Sequence, residues 1–134
     1  MNNQEKVWKL LEDLNIVVIY NDELQRQALS AVVQDNTGGS NRIIIINQTL
    51  VPLENMPYFL AHEAAHLILN HTHNSIKNEA EANRWAIKFL ACDIDHIRSY
   101  VEFMQLNGIP NRLVDTVKDV ITPLVLSRDL NVVE

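Results

Sequence analysis

The stretch YFLAHEAAHLILNH, residues 58–71, most constrains what this chain can fold into. It is otherwise apolar, yet it carries two histidines and a glutamate, His62, Glu63 and His66. Burying ionisable side chains among apolar ones costs free energy unless something pairs with them. The apolar residues predict a buried helix from about Tyr58 to Asn70. We therefore expect the three ionisable groups to share a purpose on that helix.

Size and composition indicate a soluble protein. A length of 134 residues fits one domain, so we expect residues 1–134 to form a single domain. The net charge is -6 without a cluster of Lys and Arg, which argues against direct nucleic-acid binding. No apolar run approaches the roughly 18 residues of a membrane span, and the polar N-terminus does not resemble a signal peptide. Cys92 is the only cysteine, so we expect a packed thiol in a reduced, cytoplasmic setting.

The order of the elements, strands first and helices afterwards, favours an α+β architecture. Four consecutive isoleucines, Ile43 to Ile46, predict an inner strand covered on both faces. Gly38 and Gly39 predict the turn before it. The predicted elements are a helix over residues 3–15, strands over 16–20, 29–35 and 42–47, and helices over 58–70, 78–90, 93–107 and 112–124.

The run from His62 to His66 matches the HExxH pattern of zinc peptidases. Residues i and i+4 share one helix face, with Cβ atoms roughly 5–6 Å apart. Two imidazoles so placed can bind one tetrahedral zinc ion, each at about 2.0–2.1 Å. Glu63 projects about 100° round from His62, so it lies beside the metal, where it can hold a water molecule and take its proton. Ala64 and Ala65 are small, which suits a helix buried against a sheet.

The third zinc ligand should come from the segment NEAEANRWAIKFL, in which Glu79 and Glu81 compete. Glu79 shares a face of small side chains with Ala82 and Ala86, whereas Glu81 points about 200° away. We favour Glu79 and expect Glu81 to be a solvated surface charge. Asn83, one turn after Glu79, is placed to hydrogen-bond the distal nitrogen of a zinc-bound histidine and so to orient that ring.

The other histidines fall outside this pattern. On a continued helix, His71 would be rotated about 140° from His66, and His73 would lie about 10 Å further along the axis. Either could approach the metal only if the chain turned after Asn70, so we expect both to be polar loop residues and His96 to lie on a helix surface. The candidates for a donor that stabilises an oxyanion, among which the sequence does not choose, are Tyr58, His71, His73 and Tyr100.

These motifs resemble the ImmA/IrrE family of bacterial and phage zinc metallopeptidases. The resemblance rests on RIIIIN, YFLAHEAAHLILNH and NEAEANRWAIKFL, and it covers residues 40–91. It implies a zincin-like fold, in which a small sheet packs on the HExxH helix and on a second ligand-bearing helix, followed by a helical C-terminal part. Ala65 departs from the family, since many members have glycine there. The residues carried over by position are His62, His66 and Glu79 as zinc ligands and Glu63 as catalytic base.

The resemblance also implies a partner. Members of the family cleave a repressor encoded nearby and thereby release phage, mobile-element or stress-response genes, so a transcriptional repressor is the expected protein substrate. We expect these 134 residues to contain no DNA-binding domain, so the repressor would be a separate partner. In the C-terminal segment of the chain the positive charges of Arg112 and Lys118 are offset by the negative charges of Asp115 and Asp119, so the segment is poorly suited to contacting phosphates. We expect that segment to pack over the rest of the domain.

Two functions from different classes fit the sequence. The first is a zinc-dependent endopeptidase in which Glu63 is the base. The alternative is a non-catalytic, antirepressor-like module that captures a regulator and whose zinc site is structural or inactive. The intact Glu63 favours the peptidase, because a purely structural site does not need it. A third possibility is a core helix that holds no metal.

Overall fold

The computed structural model describes residues 2–92 and 99–133, with residues 127–133 described by their backbone alone. The described part is α+β, as the element order predicted. Short 3-10 turns precede the second and the last helix, at Leu53–Asn55 and Asn111–Leu113. The elements in chain order are α1 (Asn3–Asp13), β1 (Ile16–Tyr20), β2 (Ala28–Gln34), β3 (Ser40–Ile46), α2 (Met56–Ile68), α3 (Ile76–Ala91), α4 (Tyr100–Asn107) and α5 (Val114–Val133).

The sheet has three strands in the order β1-β3-β2, so the isoleucine strand is the inner one, as predicted. β3 runs parallel to β1, with Val18 opposite Ile44, and antiparallel to β2, with Ala28 opposite Ile46. This order leaves β2 as an edge strand that packs against α2.

The prediction that β3 is covered on both faces is wrong. Side chains alternate between the faces of a strand; Ile44 and Ile46 are fully buried on the face towards α1 and α2, whereas Ile43 and Ile45 on the other face are only half-buried. Beside them on that other face Val17 is 53% exposed and Ile19 42%. The apolar side chains of this outer face are Val17, Ile19, Leu29, Ala31, Val33, Ile43 and Ile45.

Small residues bring α2 and α3 close together. Ala61 and Ala64 on α2 are fully buried, as are Ala82 and Ala86 on α3. Without longer side chains between them, the two backbones can approach closely. The α2 helix is thus enclosed by α1, α3 and the sheet.

The C-terminal helices pack over this core, as expected. Val117 and Ile121 of α5 are fully buried, and α5 packs against α3 and α4. The predicted end of this helix at residue 124 is wrong, because the helix continues to Val133 through Pro123. Pro123 removes one backbone hydrogen bond, but it lies on the exposed side, where water can satisfy the carbonyl that it leaves.

The helix predicted over residues 93–107 is described only from Ser99, whose side chain caps α4 by accepting a hydrogen bond from the Glu102 amide. The expectation for His96 lies outside the described residues. At the other end, α4 stops at Gly108, which has a φ of +68°. A Cβ atom on Gly108 would lie 2.3 Å from the Cα of Asn55, so only glycine fits between the end of α4 and the start of α2.

The prediction of a packed thiol is wrong. Cys92 is exposed at the end of α3, and its Sγ lies 2.9 Å from the Lys6 Nζ. Within the described residues, no helix combines the length and the apolar character needed to cross a membrane.

Candidate metal centre

The α2 helix buries all three ionisable side chains of the HExxH motif. His62 is 9% exposed, Glu63 4% and His66 6%. The ring nitrogens Nε2 of His62 and His66 lie 3.2 Å apart, as the i, i+4 spacing requires for convergence on one point. The ligand atoms of these two histidines and of Glu63 all lie within 4.8 Å of one another.

The α3 helix brings Glu79 to the same point. Ser75 caps this helix, accepting a hydrogen bond from the Asn78 amide, and Glu79 follows in the first turn. One carboxylate oxygen, Oε2, lies 3.1 Å from His62 Nε2, and the other, Oε1, lies 3.1 Å from His66 Nε2. The structure therefore places Glu79, and not Glu81, against both histidines of the motif.

The three groups fit a tetrahedral zinc ion. Ligand atoms at about 2.0–2.1 Å from a tetrahedral metal lie about 3.3–3.4 Å from one another. The measured separations among His62, His66 and Glu79 are 3.1–3.2 Å, close to that value. Two imidazole nitrogens and one carboxylate are also a ligand set that zinc accepts, with a fourth position left for water or substrate.

Burial keeps the two histidines neutral. It lowers the pKa of His62 to about 4, although the nearby Glu79 carboxylate acts in the opposite direction. Burial likewise lowers the pKa of His66, again against the effect of Glu79. A histidine must be neutral to bind a metal, so both rings are available for a metal at neutral pH.

Burial has the opposite effect on the acid. It raises the pKa of Glu63 to about 7, while the Arg26 guanidinium and a hydrogen bond with Ser30 act to lower it. A carboxyl group with a pKa near neutrality can both accept and return a proton. Glu63 therefore has the properties of a general base at this site.

Asn83 and Tyr58 lie behind His62. The Tyr58 hydroxyl donates to Asn83 Oδ1 at 2.6 Å and lies 3.4 Å from His62 Nδ1. The Tyr58 hydroxyl thus lies at the distal nitrogen of His62 and is itself held by Asn83; the direct hydrogen bond expected from Asn83 to that nitrogen stays a prediction.

His71 was expected to be a polar loop residue; it lies in the loop between α2 and α3, as predicted, but its side chain is buried against the motif. Its side chain is only 7% exposed, and its Nδ1 lies 2.9 Å from the Nδ1 of His66. Asn70 adopts a left-handed conformation with a φ of +57°, and the His71 amide then donates to the His66 carbonyl at 2.9 Å. The chain thus turns back at Asn70 and lays His71 over the last turn of α2.

Glu81 was expected to be a solvated surface charge, and its side chain is partly exposed, but it also has a partner that was not predicted. Its Oε2 lies 2.9 Å from the Nε2 of His71, although 44% of its side chain remains exposed. Helical geometry correctly directs Glu81 away from Glu79. The loop that turns back at Asn70, however, brings His71 next to Glu81. Asn is one of the few residues that readily adopt a left-handed conformation at the end of a helix. Asn70 was therefore the sequence feature that could have indicated the turn.

Two cavities flank the motif. One, of about 200 Å³, is bordered by His62 and Glu63 and by two arginines that sequence analysis did not assign to the site, Arg26 and Arg112. The other, of about 210 Å³, is bordered by His66, His71 and His73. β2 contributes to the walls of both, through Ala28 in the first and through Leu29 and Ser30 in the second.

Two candidate oxyanion donors, Tyr58 and Tyr100, already form hydrogen bonds with other side chains. Tyr58 donates its proton to Asn83, and the Tyr100 hydroxyl is hydrogen-bonded to Thr122 of α5 at 2.6 Å. Arg112, on the first cavity's wall, is a further cationic donor that the sequence did not suggest.

Comparison with known proteins gives one match. A family model described as "IrrE N-terminal-like domain" (Peptidase_M78) matches residues 11–93, which span α2 and α3 together with the whole sheet. No curated protein and no solved structure matches the chain significantly.

Proposed function

Because this chain belongs to the IrrE N-terminal-like family of metallopeptidase-like domains, Peptidase_M78, we propose that it is a zinc-dependent endopeptidase. The observation that carries the proposal is the convergence of His62, His66 and Glu79, with the buried carboxyl group of Glu63 beside them. Its substrate is a protein, and its reaction is the hydrolysis of one peptide bond.

His62, His66 and Glu79 would hold the zinc ion. When bound, zinc supplies Lewis acidity, which polarises the scissile carbonyl group and lowers the pKa of water towards about 7. Glu63 holds the attacking water molecule and takes one proton from it on its carboxylate. It then delivers that proton to the nitrogen of the leaving amine, as its pKa of about 7 allows.

The substrate lies along β2 as an added strand. β2 is an edge strand, and its residues 28–30 border the cavities on both sides of the motif. A peptide paired with this edge gains main-chain hydrogen bonds, and the two cavities take side chains on either side of the scissile bond. The family resemblance further suggests a transcriptional repressor of a phage or mobile element, in the cytoplasm, as the natural substrate.

The proposed zinc site can be tested by measuring metal content per chain with elemental mass spectrometry. We expect one zinc ion in the wild type and its loss in Glu79→Ala. Glu63→Gln should retain the zinc ion, because Glu63 is not a ligand in this proposal. A wild-type protein that stays metal-free after zinc is supplied would refute the proposal.

Catalysis is tested separately by labelling new protein N-termini in a bacterial lysate treated with the zinc-loaded protein. We expect specific new N-termini with the wild type and none with Glu63→Gln. Glu54→Gln, on the exposed surface, is the control for removing one charge and should cleave as the wild type does. Equal cleavage by Glu63→Gln would exclude its role as base, whereas binding of a regulator without cleavage by the wild type would favour the capture module.

A further inference from the structure

Three side chains form a continuous chain of hydrogen bonds behind the proposed zinc site. His66 and His71 face each other through their Nδ1 atoms at 2.9 Å, and His71 Nε2 lies 2.9 Å from Glu81 Oε2. The side chains of both histidines are at least nine-tenths buried, at 8% and 7% exposure. No step of the proposed reaction uses His71 or Glu81.

The chemistry of the three side chains decides which atom donates and which accepts in each of these hydrogen bonds. An ionised carboxylate can only accept hydrogen bonds, and a neutral imidazole has one donor and one acceptor nitrogen. Glu81 therefore accepts from the Nε2–H of His71. The Nδ1 of His71 is then the acceptor, so His66 must be the donor, through its own Nδ1–H. The remaining nitrogen of His66, Nε2, is left with a bare lone pair.

That bare nitrogen is the atom that faces the site. His66 Nε2 lies 3.1 Å from Glu79 Oε1 and 3.2 Å from His62 Nε2. The other tautomer of His66 would put a proton there, and a protonated nitrogen cannot bind a metal. The tautomer that the chain selects is therefore the one that zinc requires.

We propose that the Glu81–His71 pair is a positioning device that holds His66 in its zinc-binding tautomer and orientation. This inference rests on the proposed zinc site. The Nδ1 of the His66 ring is thereby held by Glu81 of α3 through His71, whereas its bare Nε2 faces the Glu79 carboxylate, with which it can share a metal ion but not a hydrogen bond. The backbone hydrogen bond from the His71 amide to the His66 carbonyl fixes the intermediate residue in place.

The two histidines are supported in different ways. The distal nitrogen of His62 leads to neutral groups, the Tyr58 hydroxyl and through it Asn83, whereas that of His66 leads to a carboxylate through His71. An anion at the end of such a chain raises the basicity of the ligand nitrogen, and loss of an outer partner of this kind typically lowers metal affinity about 10–100-fold.

Two readouts that need no catalysis test the proposal. The first is the tautomer of His66 in metal-free Glu79→Ala, which removes the carboxylate that could accept from Nε2–H, measured from long-range ¹H–¹⁵N correlations of the imidazole rings. We expect the Nδ1–H form in Glu79→Ala and a mixture of forms when His71→Ala is added. The second is zinc affinity, from competition with a chromophoric chelator, and we expect it to fall about 10–100-fold in His71→Ala and in Glu81→Ala.

The matched control is His73→Ala, which removes an exposed histidine from the same loop and should change zinc affinity less than threefold. Glu81→Gln guards against a loss of folding, because its amide oxygen can still accept from His71. It should keep the His66 tautomer and lose less affinity than Glu81→Ala. An Nε2–H form of His66 in metal-free Glu79→Ala would overturn the proposal, as would zinc affinities of His71→Ala and Glu81→Ala within threefold of wild type. Failure to cleave any protein would count against the proposed function alone, because neither readout involves a substrate.

Discussion

Replacing Glu63 by Gln should change the stability of the metal-free protein in a way that depends on pH. Burial raises the pKa of Glu63 from 4.5 in the unfolded chain to about 7 in the folded protein. Between these values the unfolded chain has released a proton that the folded protein retains, so this group's contribution to stability falls as pH rises and levels off above pH 7. A shift of this size corresponds to roughly 3 kcal/mol. The glutamine of the variant carries no charge at any pH, so the variant does not lose this stability as pH rises.

The assay is urea unfolding of wild type and Glu63→Gln at pH 4.5 and pH 8, with a chelator present. The stability of the variant relative to wild type should rise by about 3 kcal/mol between the two pH values. His62 acts with the opposite sign, since its lowered pKa makes stability rise with pH up to 6.5, but it is present in both proteins and cancels in the comparison. Glu54→Gln controls for the change in net charge. A relative stability that stays constant with pH would refute the buried state of the Glu63 carboxyl group.

Four further substitutions test the packing around the site by urea unfolding. Gly108→Ala should destabilise the protein by roughly 2–4 kcal/mol, because its Cβ would collide with the backbone of Asn55 at a left-handed φ; a neutral effect would contradict that close contact. Ile44→Ala should cost about 2–5 kcal/mol and Ile45→Ala less than half of that, and equal costs would mean that both sheet faces are covered. Ser75→Ala should cost about 1 kcal/mol through loss of the α3 cap, unless a water molecule replaces its hydroxyl without penalty.

Local periodicity accounts for what the sequence could predict about the site. The i, i+4 spacing of His62 and His66 and the direction of Glu79 on its helix are short-range properties, and the structure has the same arrangement. The roles of His71 and Glu81 depend instead on one left-handed residue, Asn70, which reverses the chain. Helical geometry carried past that residue places His71 in the wrong position.

The fold likewise has features that local sequence patterns predict and others that depend on tertiary packing. The isoleucine run predicts an inner strand, and β3 is the inner strand. Ile43 and Ile45 are chemically identical to Ile44 and Ile46, however, so the run cannot show that only one face receives helices. Similarly, Pro123 predicts a helix end, but its exposed position in α5 tolerates the missing hydrogen bond. These outcomes depend on tertiary packing, which overrides local preference.

The burial of α2 also has a consequence for motion. Twelve of its thirteen residues are buried, so its amide protons should exchange with solvent only when the whole protein unfolds. Binding sites are usually drawn from the least stable parts of a protein, but here the ionisable groups lie in what should be the slowest-exchanging helix. Any adjustment to an incoming peptide must then come from the segments that border the cavities, residues 21–27 and 72–74. A substrate would therefore bind over the rigid α2 helix, between two loop segments that can adjust to it.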